Sequence, residues 1–471
     1  MKIYNTISRK INEIVPLDPN QVTIYTCGPT VYDYPHIGNW FTFIRYDILV
    51  RSLTVLGYNP KWILNITDVG HLVSDADDGD DKVQSKASKE NKDAWTIAKH
   101  YSDYFIEGLD TLKISKPFAI PRATDHIQEQ IDMIKVLESK GYTYQITDGI
   151  YFDTSKFYRY TKLAKLNLDE LEEGARVEVN PEKKNPSDFA LWKFSDRKKG
   201  KRDMEWDSPW GIGFPGWHIE CSAMSLKYLG PTIDIHAGGI EHIPVHHTNE
   251  LAQSEAANGV KYVQYWFHAN HLMIDGEKIS KSLGNGVRLE EIFDRGFEVD
   301  SIRLLVLQSN YYTQANFSFE ILQTVQNTLK NLRESFSWVY SLNEFNDSGE
   351  NIINLIEDSK KLIIDNISDN LNTAESLKHI HKLSAAFGSL SSLSHEELVA
   401  LESFNKFISD LFGINLIIKR ELSEIESQLL SKRVEARENR DWKAADIYRD
   451  ELNALGIGLR DVPNNTLWFP I

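Results

Sequence analysis

Val22-Thr23-Ile24-Tyr25-Thr26, broken by Cys27-Gly28-Pro29-Thr30, decides the fold of this chain. Its β-branched and aromatic content reads as a buried strand, and the Gly-Pro pair ends it. A helix begins near His36 and carries Phe41, Ile44, Ile48 and Leu49 on one face. Lys61-Trp62-Ile63-Leu64-Asn65-Ile66-Thr67-Asp68 then reads as a second strand that turns polar. Strand, helix, strand is the unit of a parallel sheet, so the fold class is α/β. The first turn lacks a Gly-x-Gly-x-x-Gly pattern, which disfavours a dinucleotide site of the NAD type.

Further along, Ile233-Asp234-Ile235-His236-Ala237-Gly238-Gly239 reads as another strand running into a glycine turn. Pro244 suits the first turn of the helix that follows, and His246 and Glu250, four apart, share a face of it. The mixed pattern from about 117 to 202 separates the two α/β halves as an insertion would. After Phe319 the spacing of Leu322, Val325, Leu329, Leu332, Phe336 and Val339 is that of an amphipathic helix. Helical patterns continue to about Leu422, and the tail ends in Gly456 to Val462, more strand-like than helical. The expected segments are 1–116 and 203–275 for the catalytic halves, 117–202 for the insertion and 276–319 for a linking region. A helical domain at 320–426 and a terminal module at 427–471 complete them.

At 471 residues the chain exceeds what one core usually serves. With 41% hydrophobic and 25% charged residues it has the composition of an ordinary soluble protein. No apolar run approaches the ~18 residues of a membrane helix, and the start lacks the apolar core of a secretory signal. Two cysteines in so long a chain make no disulfide framework, so a reducing cytoplasm is expected. A net charge of −16 argues against indiscriminate nucleic-acid binding, not against local patches. Lys183 to Arg202 is such a patch, with eight basic residues against Asp188 and Asp196; a solvated loop and a phosphate-contacting surface are both open readings. Asp75, Asp77, Asp78, Asp80 and Asp81 surround Gly79, but the calcium-loop pattern fails because Ser74 and Ala76 fall on its first and third positions.

Three short segments carry chemistry. His36-Ile37-Gly38-Asn39 opens a helix whose terminal amides suit polyphosphate, and Gly38 leaves room for a base or ribose. Lys278-Ile279-Ser280-Lys281-Ser282 sets two ammonium groups between Gly276 and Gly284, as a loop that closes on developing phosphate charge would. Cys27, Cys221, a histidine and Glu250 could together hold a tetrahedral zinc ion; spacing alone does not choose between His246 and His247.

Taken in order, these segments resemble the class I aminoacyl-tRNA synthetases. The cysteinyl-tRNA synthetase family in particular is matched by Thr26 to Asp33, Asn65-Ile66-Thr67-Asp68 and Asp188 to Lys193. Ser208 to Gly211, Gly216-Trp217-His218-Ile219-Glu220-Cys221-Ser222-Ala223-Met224 and the tail Ala444 to Leu452 extend the match. The resemblance implies a Rossmann-like catalytic domain with an inserted connective domain, a helical bundle and a small anticodon-binding module. It implies ATP-dependent ligation of L-cysteine to tRNA(Cys) through an adenylate, with Mg2+ accompanying ATP and no membrane partner.

By the same resemblance, one zinc per chain is held by Cys27, Cys221, His246 and Glu250, and takes the substrate sulfur as a further ligand. Cys27, Thr67, Trp217 and His236 face the cysteine. His36, Gly38, Asn39, Lys278 and Lys281 form the ATP and catalytic set, and Arg437, Trp442, Asp446 and Asp461 contact the anticodon. The first signature departs from the family at Asn39, where histidine is usual, the second at Ile279, where methionine is usual, and Glu241 stands where aspartate is common. Two rival readings are a cysteine:amino-sugar ligase, whose family lacks the C-terminal domains, and a non-catalytic tRNA-binding paralogue.

Overall fold

The computed structural model describes every residue except 70–80, 166–179, 197–200, 280–283, 343–344, 347, 349–350 and 463–464. The acidic tract up to Asp80, the central lysines of the basic stretch, and Ser280, Lys281 and Ser282 therefore lie outside the described residues. Two compact units form. One comprises Met1–Met273, Glu277–Leu289 and Tyr311–Ala315; the other comprises Ile274–Gly276, Glu290–Asn310 and Asn316–Ile471.

The first unit is built on a parallel sheet in which Val22–Thr26 lies between Pro60–Leu64 and Ile233–Gly239, and Val263–Ala269 completes the other edge. Ile24, Ile63, Ile235 and Trp266 are fully buried, so these strands read as apolar runs because helices cover both faces. The helix Ile37–Val55 makes the crossover between the first two strands. The second strand ends at Leu64, earlier than its sequence suggests. Beyond it the backbone turns to pair with other partners: the Thr67 amide donates to the Pro29 carbonyl (3.1 Å) and the Val31 amide to the Thr67 carbonyl (3.1 Å).

The insertion carries its own antiparallel sheet of Thr143–Ile146, Gly149–Phe152, Phe189–Phe194 and Gly213–Pro215. Its last strand lies beyond residue 202, so the inserted layer reaches further than its composition indicates. The basic stretch is less open than its charge suggests. Lys193 is buried and bonded to Asp148 at 2.6 Å, and Arg202 pairs with Asp81 while covering the Phe214 ring. Helix His246–Asn258 starts at His246, and Pro244 sits in the turn before it rather than in its first turn.

In the second unit, helices Phe319–Ser337, Ile352–Ser368, Thr373–Ser389 and His395–Phe412 bury the periodic apolar positions. Helix Glu424–Glu438 begins at a Ser423–Glu426 capping box and runs through residue 427, so the expected module boundary falls inside it. Helix Trp442–Ala454 and the hairpin of Ile457–Val462 with Asn465–Pro470 follow, packed on Leu452, Ile457 and Trp468. The module thus holds two helices as well as strands. No described helix is long and apolar enough to cross a membrane.

Candidate active site and metal centre

Ligands of open parallel sheets sit beyond the carboxyl ends of the strands, and the site residues gather there. Val22–Thr26 delivers Cys27 and Ile233–Gly239 delivers His236, which pairs in register with Tyr25. Helix Trp217–Leu229 presents Trp217 and Cys221, and helix His246–Asn258 presents His246 and Glu250. A Cβ on Gly28 would fall on the Asn65 carbonyl oxygen, so glycine lets the turn after Cys27 pack against the neighbouring chain.

One donor atom each from Cys27, Cys221, His246 and Glu250 lies within 4.8 Å of the other three, and all four residues are buried. A second set, Cys27, His236, His247 and Glu250, meets the same limit. Glu250 stands at the centre: His246 Nε2 is 2.9 Å from its Oε1 and His236 Nε2 is 2.8 Å from its Oε2. His247 Nε2 lies 3.2 Å from Cys27 Sγ, while its Nδ1 begins a chain of rings, 2.8 Å from His268 Nε2, whose Nδ1 lies 2.6 Å from Thr6 Oγ1. Trp217 packs on His246 with ring centroids 4.3 Å apart, and Trp266 stacks on His236 at 4.9 Å. Thr67 is buried beside Glu220, one residue before Cys221.

Charge in this cluster is mutually compensated. Burial pushes the Cys27 thiol well up, with Cys221 adding to the effect. A hydrogen bond from Cys27 brings Cys221 down to about 7, although burial opposes it. Burial also disfavours charge on His246, but Glu250 and Cys221 outweigh it and raise the imidazole to about 10. Burial likewise opposes ionised Glu250, yet His236 and His246 hold it well below the usual carboxylate range. His247 is driven well below an ordinary imidazole by burial and then by His236. Cys221 and Glu250 are thus the anionic members of the cluster, while Cys27 and His246 hold protons that a divalent metal would displace on binding.

Beside the cluster lies a cavity of about 640 Å³ lined by Pro29, Thr30, Tyr32, Asp33, His36, Asn39, Lys82, Ile279 and Arg288 among others. His36 caps the helix Ile37–Val55 reciprocally with Asn39: the Asn39 amide donates to His36 Nδ1 (3.3 Å), and the His36 amide donates to Asn39 Oδ1 (3.0 Å). Asparagine therefore serves here as a capping side chain. The helix end is less open to phosphate than expected, because the Ile37 amide donates to the Val287 carbonyl at 2.7 Å. The space above Gly38 is also used by the protein: a Cβ there would come within 2.6 Å of Ile279 and 3.1 Å of the His36 ring. The two signature segments meet across this glycine. Lys278 stands exposed and does not line the cavity.

Sequence reasoning missed His218, His242, His268 and Trp266 as members of the site, and held His247 only as an alternative to His246. Six of the fourteen histidines fall between 236 and 271, a density that could have flagged His242 and His268. In the terminal module Trp442 is 57% exposed, and the Arg437 guanidinium lies 5.7 Å from its ring centroid. Asp446 pairs with Arg449 at 3.1 Å, and Asp461 is held by arginines.

The family model of the tRNA synthetases class I (C) catalytic domain matches residues 13–327, and that of the cysteinyl-tRNA ligase anticodon binding domain matches residues 419–468. A cysteine–tRNA ligase of Treponema denticola is 40% identical, with 99% of both chains covered. One from Thermococcus onnurineus is 38% identical over 99% of this chain and 98% of its own, and cysteine–tRNA ligase 1 of Burkholderia lata is 40% identical over 100% and 97%. Among solved structures, methionyl-tRNA synthetase of Mycobacterium tuberculosis bound by methionyl-adenylate aligns with a TM-score of 0.61 at 16% identity. That alignment covers 84% of this chain and 92% of that one, a likeness of fold. A match that runs the length of the chain, catalytic and anticodon-binding parts alike, leaves one assignment: the chain belongs to the cysteine–tRNA ligase family of class I aminoacyl-tRNA synthetases.

Proposed function

We propose that this cysteine–tRNA ligase selects its amino acid through a zinc ion held by Cys27, Cys221, His246 and Glu250. The enzyme joins L-cysteine to tRNA(Cys): the cysteine carboxylate attacks the α-phosphate of ATP, pyrophosphate leaves, and the terminal hydroxyl of the tRNA then attacks the adenylate. The observation that carries the zinc reading is the convergence of the two cysteines, 194 residues apart, on one buried carboxylate and imidazole. Two sulfurs, a nitrogen and an oxygen make a donor set suited to zinc. When bound, the ion supplies a soft Lewis acid that favours a thiolate over the hydroxyl of serine.

The chain's own residues complete the pocket. His236, fixed by its bond to Glu250 and its stack on Trp266, and Trp217, packed on His246, wall the amino-acid side. Pro29 and Thr30, just after Cys27, continue into the cavity that His36 and Asn39 line, where ATP and its Mg2+ would lie. Lys281 meets the ATP phosphates in this reading; its support is the signature segment and Ile279, two residues earlier, at the cavity wall. No protein nucleophile is needed, so catalysis rests on positioning and charge stabilisation. Arg437, Trp442, Asp446 and Asp461 serve the anticodon end.

The test is ATP–pyrophosphate exchange with cysteine and with serine, run alongside metal content, for wild type and Cys221→Ser. The expected result is loss of both bound zinc and cysteine-dependent exchange in the variant. A Cys221→Ser enzyme that retains wild-type exchange and selectivity sinks the zinc reading.

A further inference from the structure

The terminal module contains an ion-pair relay that the expected roles of its residues do not account for. Arg433 and Arg437 are four apart on helix Glu424–Glu438 and share a face. The Arg433 side chain is 4% exposed, and its two terminal nitrogens grip Asp461 on strand Ile457–Val462: Nη1 to Oδ1 at 2.6 Å and Nη2 to Oδ2 at 2.8 Å. Thr466, on the partner strand of the hairpin, donates its hydroxyl to Oδ1 at 3.0 Å. Arg437 Nη1 reaches Oδ2 at 2.7 Å.

A carboxylate offers about four lone-pair sites, and four donors are accounted for here. Asp461 therefore meets a base N–H only by giving up an arginine or the threonine. Its geometry is that of an anchor. What it anchors is Arg437, which runs on to the face of the exposed Trp442 ring. A guanidinium carries five N–H donors, so one bond to Asp461 sets its plane without exhausting it. An unpaired base can stack on an aromatic face while a planar donor group reads its edge. Holding that pair in one arrangement beforehand lowers the ordering cost of binding. A bidentate arginine–carboxylate pair whose arginine is buried and whose carboxylate is partly exposed is suited to fixing geometry and adds little net stability.

We propose that Arg433 is a positioning residue for anticodon recognition: through Asp461 it holds Arg437 against Trp442 as a preformed platform for an unpaired base. This rests on the reading that the module meets the anticodon.

The test is aminoacylation by the full-length enzyme, with KM for tRNA(Cys) and kcat determined separately and tRNA-free ATP–pyrophosphate exchange as the control for an intact catalytic unit. Arg433→Lys keeps the charge and loses the fork. It should raise KM for tRNA about tenfold, a coupling typical of neighbouring charged groups, and leave kcat near wild type. Added to Arg437→Ala it should cost nothing further, because it acts through Arg437. Asp461→Asn should behave like Arg433→Lys and provides the second route should the lysine variant fold poorly. An unchanged KM in Arg433→Lys and Asp461→Asn, or a penalty that multiplies with that of Arg437→Ala, overturns the relay. If Trp442→Ala and Arg437→Ala leave the tRNA KM untouched, the anticodon reading itself falls and the relay with it.

Discussion

The Cys27–Cys221–His246–Glu250 cluster and the Arg433–Asp461–Arg437–Trp442 relay place charge in opposite ways. In the first, every member is buried and the charges compensate one another around Glu250. In the second, only Arg433 is buried; Asp461 is 32% exposed, Arg437 36% and Trp442 57%. A small substrate is discriminated by one atom, so its site excludes water and uses rare donor types. A macromolecule is met on a surface, so its site uses common residue types, and precision comes from buried partners behind them. The difference shows in what each region should affect: cysteine activation for the cluster and its cavity, tRNA affinity alone for the relay.

Mutations can separate the two. The largest effect is expected at Lys281. Lys281→Ala should cut adenylate formation by about two to three powers of ten, the range for losing one charge-stabilising donor, with cysteine binding in the absence of ATP little changed. Exchange that survives intact would remove the loop from catalysis. Next comes Trp442→Ala, which should lose about 1–3 kcal/mol of tRNA binding, the usual worth of a stacked base, and leave tRNA-free exchange untouched. Equal loss of both activities would make Trp442 a packing residue and dissolve the contrast.

A smaller effect sharpens the catalytic side. Asn39→Ala removes the reciprocal cap on His36 and should destabilise that helix end by about 1 kcal/mol, with a matching rise in KM for ATP. Asn39→Asp keeps an acceptor for the His36 amide and should restore most of it. If the two variants behave alike in exchange kinetics and thermal unfolding, the cap is not what the position contributes.

The smallest expected effect is one of pH. Arg433 foremost, against some burial, holds Asp461 below the ordinary aspartate range. A depressed carboxyl stabilises the fold above its unfolded pKa of about 3.9 and loses that contribution as pH falls through its own lower value. Unfolding of the wild type should therefore show an acid-dependent component below about pH 4 that Asp461→Asn lacks. Identical acid profiles would argue that Arg433 does not stabilise the ionised carboxyl.

Much of the first unit was legible because its signals are local. Val22–Thr26, the helix opened at His36 and Ile233–Gly239 each announce themselves within a few residues. The two cysteines stood out because there are no others. What stayed hidden depends on distant partners. Lys193 and Arg202 look like free cations until Asp148 and Asp81, 45 and 121 positions away, are brought against them. The strand at Lys61 stops at Leu64 because residues near Pro29 and Arg122 capture the next backbone groups, which no local pattern records. Asp461 reads as a base acceptor in sequence, and no local pattern records that the hairpin folds it onto Arg433, 28 positions away.

The central claim is that one zinc ion per chain gives this ligase its selectivity for cysteine. Elemental analysis of the purified full-length enzyme, paired with cysteine-dependent ATP–pyrophosphate exchange on the same sample, tests it most directly. The account predicts one zinc per chain, with exchange lost as the metal is stripped and regained when zinc is returned. Full exchange activity and undiminished rejection of serine in a metal-free sample would contradict it.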